Sequence, residues 1–341
     1  MKRILVSLIF GFLFCTSCTS QDEDDKQSIP VQKITNGNGK HQAFTDLTFF
    51  ENHFYLVFRE SDSHVFGADG IIKLLRSSDG KNWKVVKEFN VLGVDLRDPK
   101  LSINDKKLML YIHGATYENN KNISSFDYVS YYSNSSWQDL KSVTLNSAGI
   151  STTKIQGNEA WPWRITWFNS KAYSAGYNLN GIFNLYVSED GESFTKKNVI
   201  RQRPNVPNEA TIRVSSEGEF FMLARTFGSA QLARSKNPEL TWEWFGEINI
   251  DSFGGPNFLL VKDNKMLISG REGERLILGV YDLESNRFKK LVELPSGGDC
   301  SYPGMLIKDK TLMISYYSSH GDKKGSSIYF AKIKLEDLKI D

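Results

Sequence analysis

The sequence predicts an all-β chain, folded as a single six-bladed β-propeller over residues 31–341. Three observations predict it. Apolar residues alternate, or run for four to seven positions, between Gly, Asn, Asp and Ser punctuation, which is a strand signal rather than a helical one. The runs come in pairs about a tight turn: Asn104-Asp105-Lys106, Ser216-Glu217-Gly218, Lys262-Asp263-Asn264 and Lys308-Asp309-Lys310 lead into Lys107 to Tyr111, Phe220 to Ala224, Lys265 to Ser269 and Leu312 to Tyr316. The pairs recur, with first strands beginning near His41, Asp95, Glu159, Asn208, Gly255 and Ser301, at spacings of 54, 64, 49, 47 and 46 residues. A period of roughly 50 residues with four short strands is that of a propeller blade.

Within each unit a third strand follows the hairpin, as in Ile72 to Arg76, Phe183 to Val187 and Leu276 to Tyr281, and then a turn and a fourth, as in Trp83 to Glu88. The last unit ends at Ile328 to Ile333 without a fourth strand. Val31 to Ile34 is expected to supply it and close the ring, which removes the exposed edges of an open array. Two turns after third strands share one pattern, Ser77-Ser78-Asp79-Gly80-Lys81-Asn82-Trp83 and Ser188-Glu189-Asp190-Gly191-Glu192-Ser193-Phe194. Asp and Gly make the tight turn, and the aromatic packs between blades. Ser133 to Trp137, and Ser235-Lys236-Asn237 with Trp242, are weaker relatives.

The N-terminus reads as an address. Lys2 and Arg3 precede the apolar run Ile4 to Phe14, about half of the ~20 residues that a spanning helix needs, and small residues follow. Phe14-Cys15-Thr16-Ser17-Cys18 resembles a bacterial lipobox, so residues 1–17 are expected to be a signal peptide and Cys18 the lipidated N-terminus. Residues 18–30, with Asp22-Glu23-Asp24-Asp25, read as a flexible acidic tether and resemble the export signal of Bacteroidetes surface lipoproteins. The expectation is a monomer in the cell envelope, held at the outer membrane by its lipid alone. Cys300 is then the one unlipidated thiol, so no internal disulfide forms.

Composition narrows the function. With 42 Lys and Arg against 40 Asp and Glu, net +2, the chain is no strongly basic nucleic-acid binder. Five His and three Cys exclude a Cys-rich zinc site, and neither metal nor cofactor is expected. Aromatics at 13% suit an all-β fold or a sugar site.

In a propeller the first-strand starts and second-strand ends open on one face. Here those positions hold Asp46, Arg97 and Asp98, Glu159 with Trp161, Trp163 and Arg164, Glu209, and Asp299 with Tyr302, together with Arg59, Glu60, Arg225, Arg271, Tyr317 and His320. Charged and aromatic groups from every unit meet at one mouth, although buried charge is costly. In Trp161-Pro162-Trp163-Arg164, one indole is expected in the core and the other, Trp163, on a pyranose face, with Arg164 beside it.

From Gln42 to Ile333 the chain resembles the sialidase superfamily. The Ser77 and Ser188 turns resemble the sialidase Asp-box, one residue short. Pro207-Asn208-Glu209-Ala210-Thr211-Ile212 followed by Phe221-Met222-Leu223-Ala224-Arg225 resembles the segment that carries a Glu and a triad arginine, and Ser301-Tyr302-Pro303-Gly304 the segment that carries the nucleophilic tyrosine. The resemblance implies that Glu209 activates Tyr302 and that Arg225 binds an anionic group; Arg271, at a second-strand end, is expected close by as a substrate ligand. A neutral nucleophile is not repelled by a substrate carboxylate. The chain departs from the family at Gln42-Ala43-Phe44-Thr45-Asp46, which lacks the arginine of the R-I-P motif; Arg59 and Arg97 are the candidates to replace it. The loop expected to carry the acid, Ser61 to Gly70, offers Asp62, His64 and Asp69, with His64 near Glu60 as an alternative proton shuttle. Arg97-Asp98-Pro99 also resembles a motif of five-bladed glycosidases, which makes Asp98 an acid, base or sugar ligand.

The resemblance thus implies an exo-acting glycoside hydrolase cleaving a terminal, acidic sugar from a glycan. The alternatives are a polysaccharide lyase or other uronate-processing enzyme, with Tyr302 or His64 as base, and a non-catalytic glycan-binding lipoprotein.

Overall fold

The computed structural model describes residues 29–146, 156–157, 160–178, 180–200, 207–262 and 264–340. The leader, Cys18, most of the tether and Glu159 lie outside the described residues. Among those described, the chain is all-β save for one 3-10 turn at Leu335–Leu338, and no helix is long and apolar enough to cross a membrane.

The strands form five sheets. The first holds His41–Phe50, His53–Ser61, Ile71–Ser77 and Lys84–Phe89 in chain order. Ala210–Val214 to Glu243–Ile248 and Gly254–Val261 to Arg287–Leu294 make two more of four strands each. In the last sheet Cys300–Lys308, Thr311–Ser318 and Ser327–Lys334 are completed by Val31–Lys33, antiparallel to Tyr329–Ala331, so the chain's start fills the place left open at its end.

One expectation is corrected. The second and third repeats do not form separate four-stranded sheets. Lys141–Asn146 pairs in parallel with Ser193–Val199, fusing them into one eleven-stranded sheet. Each of these strands is the outer edge of its own repeat, and the pairing satisfies backbone groups that would otherwise stay open.

Neighbouring inner strands are bridged all the way round. Leu101 N donates to Asp46, Ser102 to the Ile165 carbonyl, Thr166 to the Ile212 carbonyl, Arg213 to the Phe258 carbonyl, Asn257 to the Pro303 carbonyl and Thr45 to the Tyr302 carbonyl. Apolar clusters fill the space between units; Leu267, Leu278, Met305, Leu312 and Ile314 form one of them. The two Ser-x-Asp-Gly turns lock adjoining units. Asp79 accepts from the Lys81 and Asn82 amides, Gly80 sits at φ +63, and the Trp83 ring lies 5.3 Å from Phe330 in the last sheet.

Candidate active site

Four inner strands carry the same irregularity at the same place. Their pairing slips between Ala43 and Asp46, Arg97 and Lys100, Gly254 and Asn257, and Ser301 and Gly304. In each, two residues oppose one, and the first of the two, Phe44, Asp98, Gly255 or Tyr302, has a φ near +50 to +60. Such bulges turn the strand and re-aim a side chain. Three of the four are non-glycine residues in the left-handed region, a strain that collects at functional sites. Gly255 is needed where it is, because a Cβ there would stand 2.6 Å from the Ser301 hydroxyl and 3.0 Å from the Tyr302 ring.

Tyr302, aimed by its bulge, donates its phenolic hydrogen to Glu209 at 2.6 Å. Arg225 Nη1 lies 3.0 and 2.9 Å from the two Glu209 oxygens and 3.3 Å from the Tyr302 oxygen. Glu209 is 7% exposed and faces Arg225 across a backbone pair, with the Arg225 amide donating to the Glu209 carbonyl. Burial, and then the Glu209 charge, push the Tyr302 phenol well above its ordinary range, while Arg225 pulls it down. The Tyr302 ring is held edge-on by Phe44 and stacked on Tyr317.

A second cluster also packs against Phe44. Asp299 Oδ2 meets His41 Nε2 at 2.7 Å and His64 Nδ1 at 2.9 Å, and Oδ1 accepts from the Tyr317 hydroxyl at 2.7 Å. Arg271 Nη1 is 3.9 Å away. Burial opposes the Asp299 charge, but the hydrogen bonds from His41, His64 and Tyr317 prevail and hold the carboxyl far below its usual range. Burial holds the His41 imidazole below its ordinary value despite that bond. The His64 side chain is 44% exposed, so its second nitrogen is open to a substrate. His41, His64 and Asp299 are also the one group of possible metal ligands among the described residues. As they stand, both imidazoles hydrogen-bond the Asp299 carboxylate, an arrangement that can act as a proton relay.

The other site expectations fare differently. Arg59, fully buried, gives Nε and Nη2 to Asp95 at 2.9 and 2.7 Å and Nη1 to the Ser63 carbonyl, so it joins units and cannot stand in for the missing arginine. Arg164 is spent on Asp46 at 2.8 Å to each oxygen. Arg97 binds Asp98, the Tyr117 hydroxyl and the His64 carbonyl. Asp98, aimed by its own bulge, is buried beside Arg97. Glu60 is held by Gln42 and Lys73, not by His64. His320 lies on the Tyr329 ring and bonds Ser318, outside both clusters. Trp163 is 3% exposed, so it is the core indole of the pair. Trp161 offers no free face either, since His113 stacks on it at 3.7 Å and Tyr177 at 5.5 Å.

Two participants escape sequence reading. His41 is a strand-start histidine with no motif around it. Lys100 looks like any strand lysine, yet it is buried, with its Nζ 4.5 Å from the Trp163 ring centroid and 5.9 Å from that of Tyr302.

No family model matches the chain, and no curated protein sequence does. Solved structures do resemble it. A protein of unknown function from Dyadobacter fermentans has a TM-score of 0.71 at 18% identity, over 89% of this chain and 98% of that one. A Trypanosoma rangeli sialidase in complex with sialic acid has a TM-score of 0.69 at 14% identity, over 92% of this chain and 58% of that one. NanB, solved with Optactamide, has a TM-score of 0.66 at 10% identity, over 92% and 71%. The chain therefore has a sialidase-like all-β fold and spans a little under three fifths of the Trypanosoma rangeli protein.

Proposed function

We propose that this chain is an exo-acting glycoside hydrolase on a six-bladed propeller, removing a terminal acidic sugar from a glycan outside the cytoplasm, as a monomer anchored by lipid on Cys18. The observation that carries the reading is the 2.6 Å contact of the Tyr302 hydroxyl with Glu209, with Arg225 across both. A phenol beside a base is the requirement for activating a weak nucleophile.

The steps follow from the placement of these groups. Glu209 takes the phenolic proton as the Tyr302 oxygen attacks the anomeric carbon. The bond to the leaving oxygen breaks, and His64, oriented by Asp299, protonates that oxygen. His64 then takes a proton from water, whose oxygen attacks the anomeric carbon. The bond to Tyr302 breaks, and the phenolate recovers its proton from Glu209. Phe44 packs against both His64, at 5.0 Å, and Tyr302, at 5.1 Å, and so ties the two groups to one wall of the site. Arg225 and Arg271 anchor the acidic substituent. The segment Gln42 to Asp46 carries no arginine and Arg59 is spent on Asp95, so the acidic substituent is held through Arg225 and Arg271.

The test is a panel of glycans and aryl glycosides, sialosides and uronides included, read by released reducing sugar. Release that disappears in Tyr302→Phe supports the proposal. An ultraviolet-absorbing unsaturated product assigns a lyase instead, and binding without turnover assigns a glycan-binding protein.

A further inference from the structure

Lys100 is a buried amine that the steps above leave unused. It follows the Asp98 bulge at the register position of Asp46, Asn257 and Gly304 in the other bulged inner strands. That places it one layer beneath the mouth, under Tyr302. It is 2% exposed, and its hydrogen-bond partner among the described residues is the Pro99 carbonyl, at 3.3 Å. The nearby carboxylates are engaged elsewhere. Asp46 is taken by Arg164 and the Leu101 amide, Asp98 by Arg97, and Glu209 by Arg225 and Tyr302. No ion pair to Lys100 occurs among the described residues. A buried ammonium without an ion-pair partner is costly, and its packing beneath a reactive phenol gives that cost a use.

We propose that Lys100 is a positioning residue for Tyr302: its ammonium, packed against the Tyr302 and Trp163 rings, favours the phenolate as the proton leaves for Glu209, and turnover falls when that ammonium is replaced by an apolar group. This rests on Tyr302 being the nucleophile. A cation within about 6 Å of an aromatic centroid is attracted to the ring, and more strongly once that ring carries charge. The groups facing Lys100 are Asp98 on its own strand, Asp46 from an adjoining inner strand, Arg164 just before Thr166–Phe168, Glu209, and the Tyr302 and Trp163 rings. Burial pushes the Lys100 amine down to about 8, Arg164 in the same direction, while Asp98, Asp46 and Glu209 oppose.

The experiment compares the full chain with Lys100→Met, Lys100→Arg and Tyr302→Phe. Each variant's melting midpoint is measured, and each is assayed across pH on aryl sialosides and aryl uronides. The expected result for Lys100→Met is an unchanged or raised midpoint, because an unpaired buried charge has gone, with kcat/KM lowered roughly tenfold. The fall in activity above about pH 8 disappears with it, and Lys100→Arg recovers activity and keeps it to higher pH. A midpoint lowered by Lys100→Met, or full activity with the alkaline fall intact, overturns the proposal. Tyr302→Phe separates the two claims: if it retains turnover the nucleophile reading fails, whereas loss in Tyr302→Phe with full activity in Lys100→Met removes only the role of Lys100.

Discussion

Replacing Asp299 by Asn tests the relay on both stability and chemistry. Asp299 accepts from His41 at 2.7 Å, His64 at 2.9 Å and Tyr317 at 2.7 Å. An amide keeps the shape but loses the charge, and its nitrogen end turns a donor toward donors. His41 is buried, and so is Tyr317, so at least one hydrogen-bonding group is left unsatisfied. That costs about 1–3 kcal/mol, a melting midpoint lower by roughly 2–6 °C. His64 loses the anchor that fixes its tautomer, and kcat should fall at least ~10-fold, part of the ~10²–10⁴ that a positioned proton-transfer group contributes. The pH dependence carries its own sign. Asp299 titrates far below its unfolded value, so its stabilisation is present above about pH 4 and is lost as pH falls further. His41 titrates below its unfolded value, so the unfolded chain takes that proton first and stability declines below about pH 6.5. Urea unfolding at a series of pH values, with kcat on the same samples, reads both. A variant with the parental acid limb, midpoint and kcat would refute the reasoning.

Three further outcomes are expected. Gly255→Ala puts a Cβ at φ +52 against Ser301 and Tyr302, so it should lower both the melting midpoint and kcat, whereas Gly273→Ala, in open space at φ +57, should lower stability alone. Arg271→Ala should raise KM for a charged substrate roughly tenfold and change kcat less, since Arg271 is 31% exposed and touches Asp299 only at 3.9 Å; equal losses with a neutral analogue would count against anion binding. Cys18→Ser should move the protein from the membrane to the soluble fraction, and an unchanged distribution removes the lipidation proposal.

How much of this is legible in the sequence depends on the range of the interaction. Hairpins are written locally, because Asn104-Asp105-Lys106 or Lys308-Asp309-Lys310 specifies its own turn. The contact between Glu209 and Tyr302, 93 residues apart, is legible because both begin first strands and the repeat places such starts on one face. Which arginines remain free is not legible. Arg59 and Arg225 occupy similar second-strand ends, yet Arg59 is taken by Asp95 from the next unit, and nothing near Arg59 in the chain announces that partner. The bulges are hidden for a related reason: Phe44, Asp98 and Tyr302 adopt left-handed backbone without a glycine to mark it. The parallel pairing of Lys141–Asn146 with Ser193–Val199 depends on two edges meeting in space, which no local pattern encodes. Trp163 turns inward, and Trp161 is covered by His113 and Tyr177, because side chains of distant strands decide what each indole meets.

The most direct measurement of the central claim is kcat of Tyr302→Phe on whichever glycan the panel identifies. Phenylalanine keeps the ring against Phe44, Trp163 and Tyr317 and removes only the oxygen that meets Glu209 at 2.6 Å. The melting midpoint should therefore stay near the parental value, while kcat falls by at least ~10²-fold, the low end for losing a proton-transfer partner. Turnover within a few-fold of the parental chain would contradict the account, and the carboxylates Asp98 and Asp299 would then become the leading catalytic candidates.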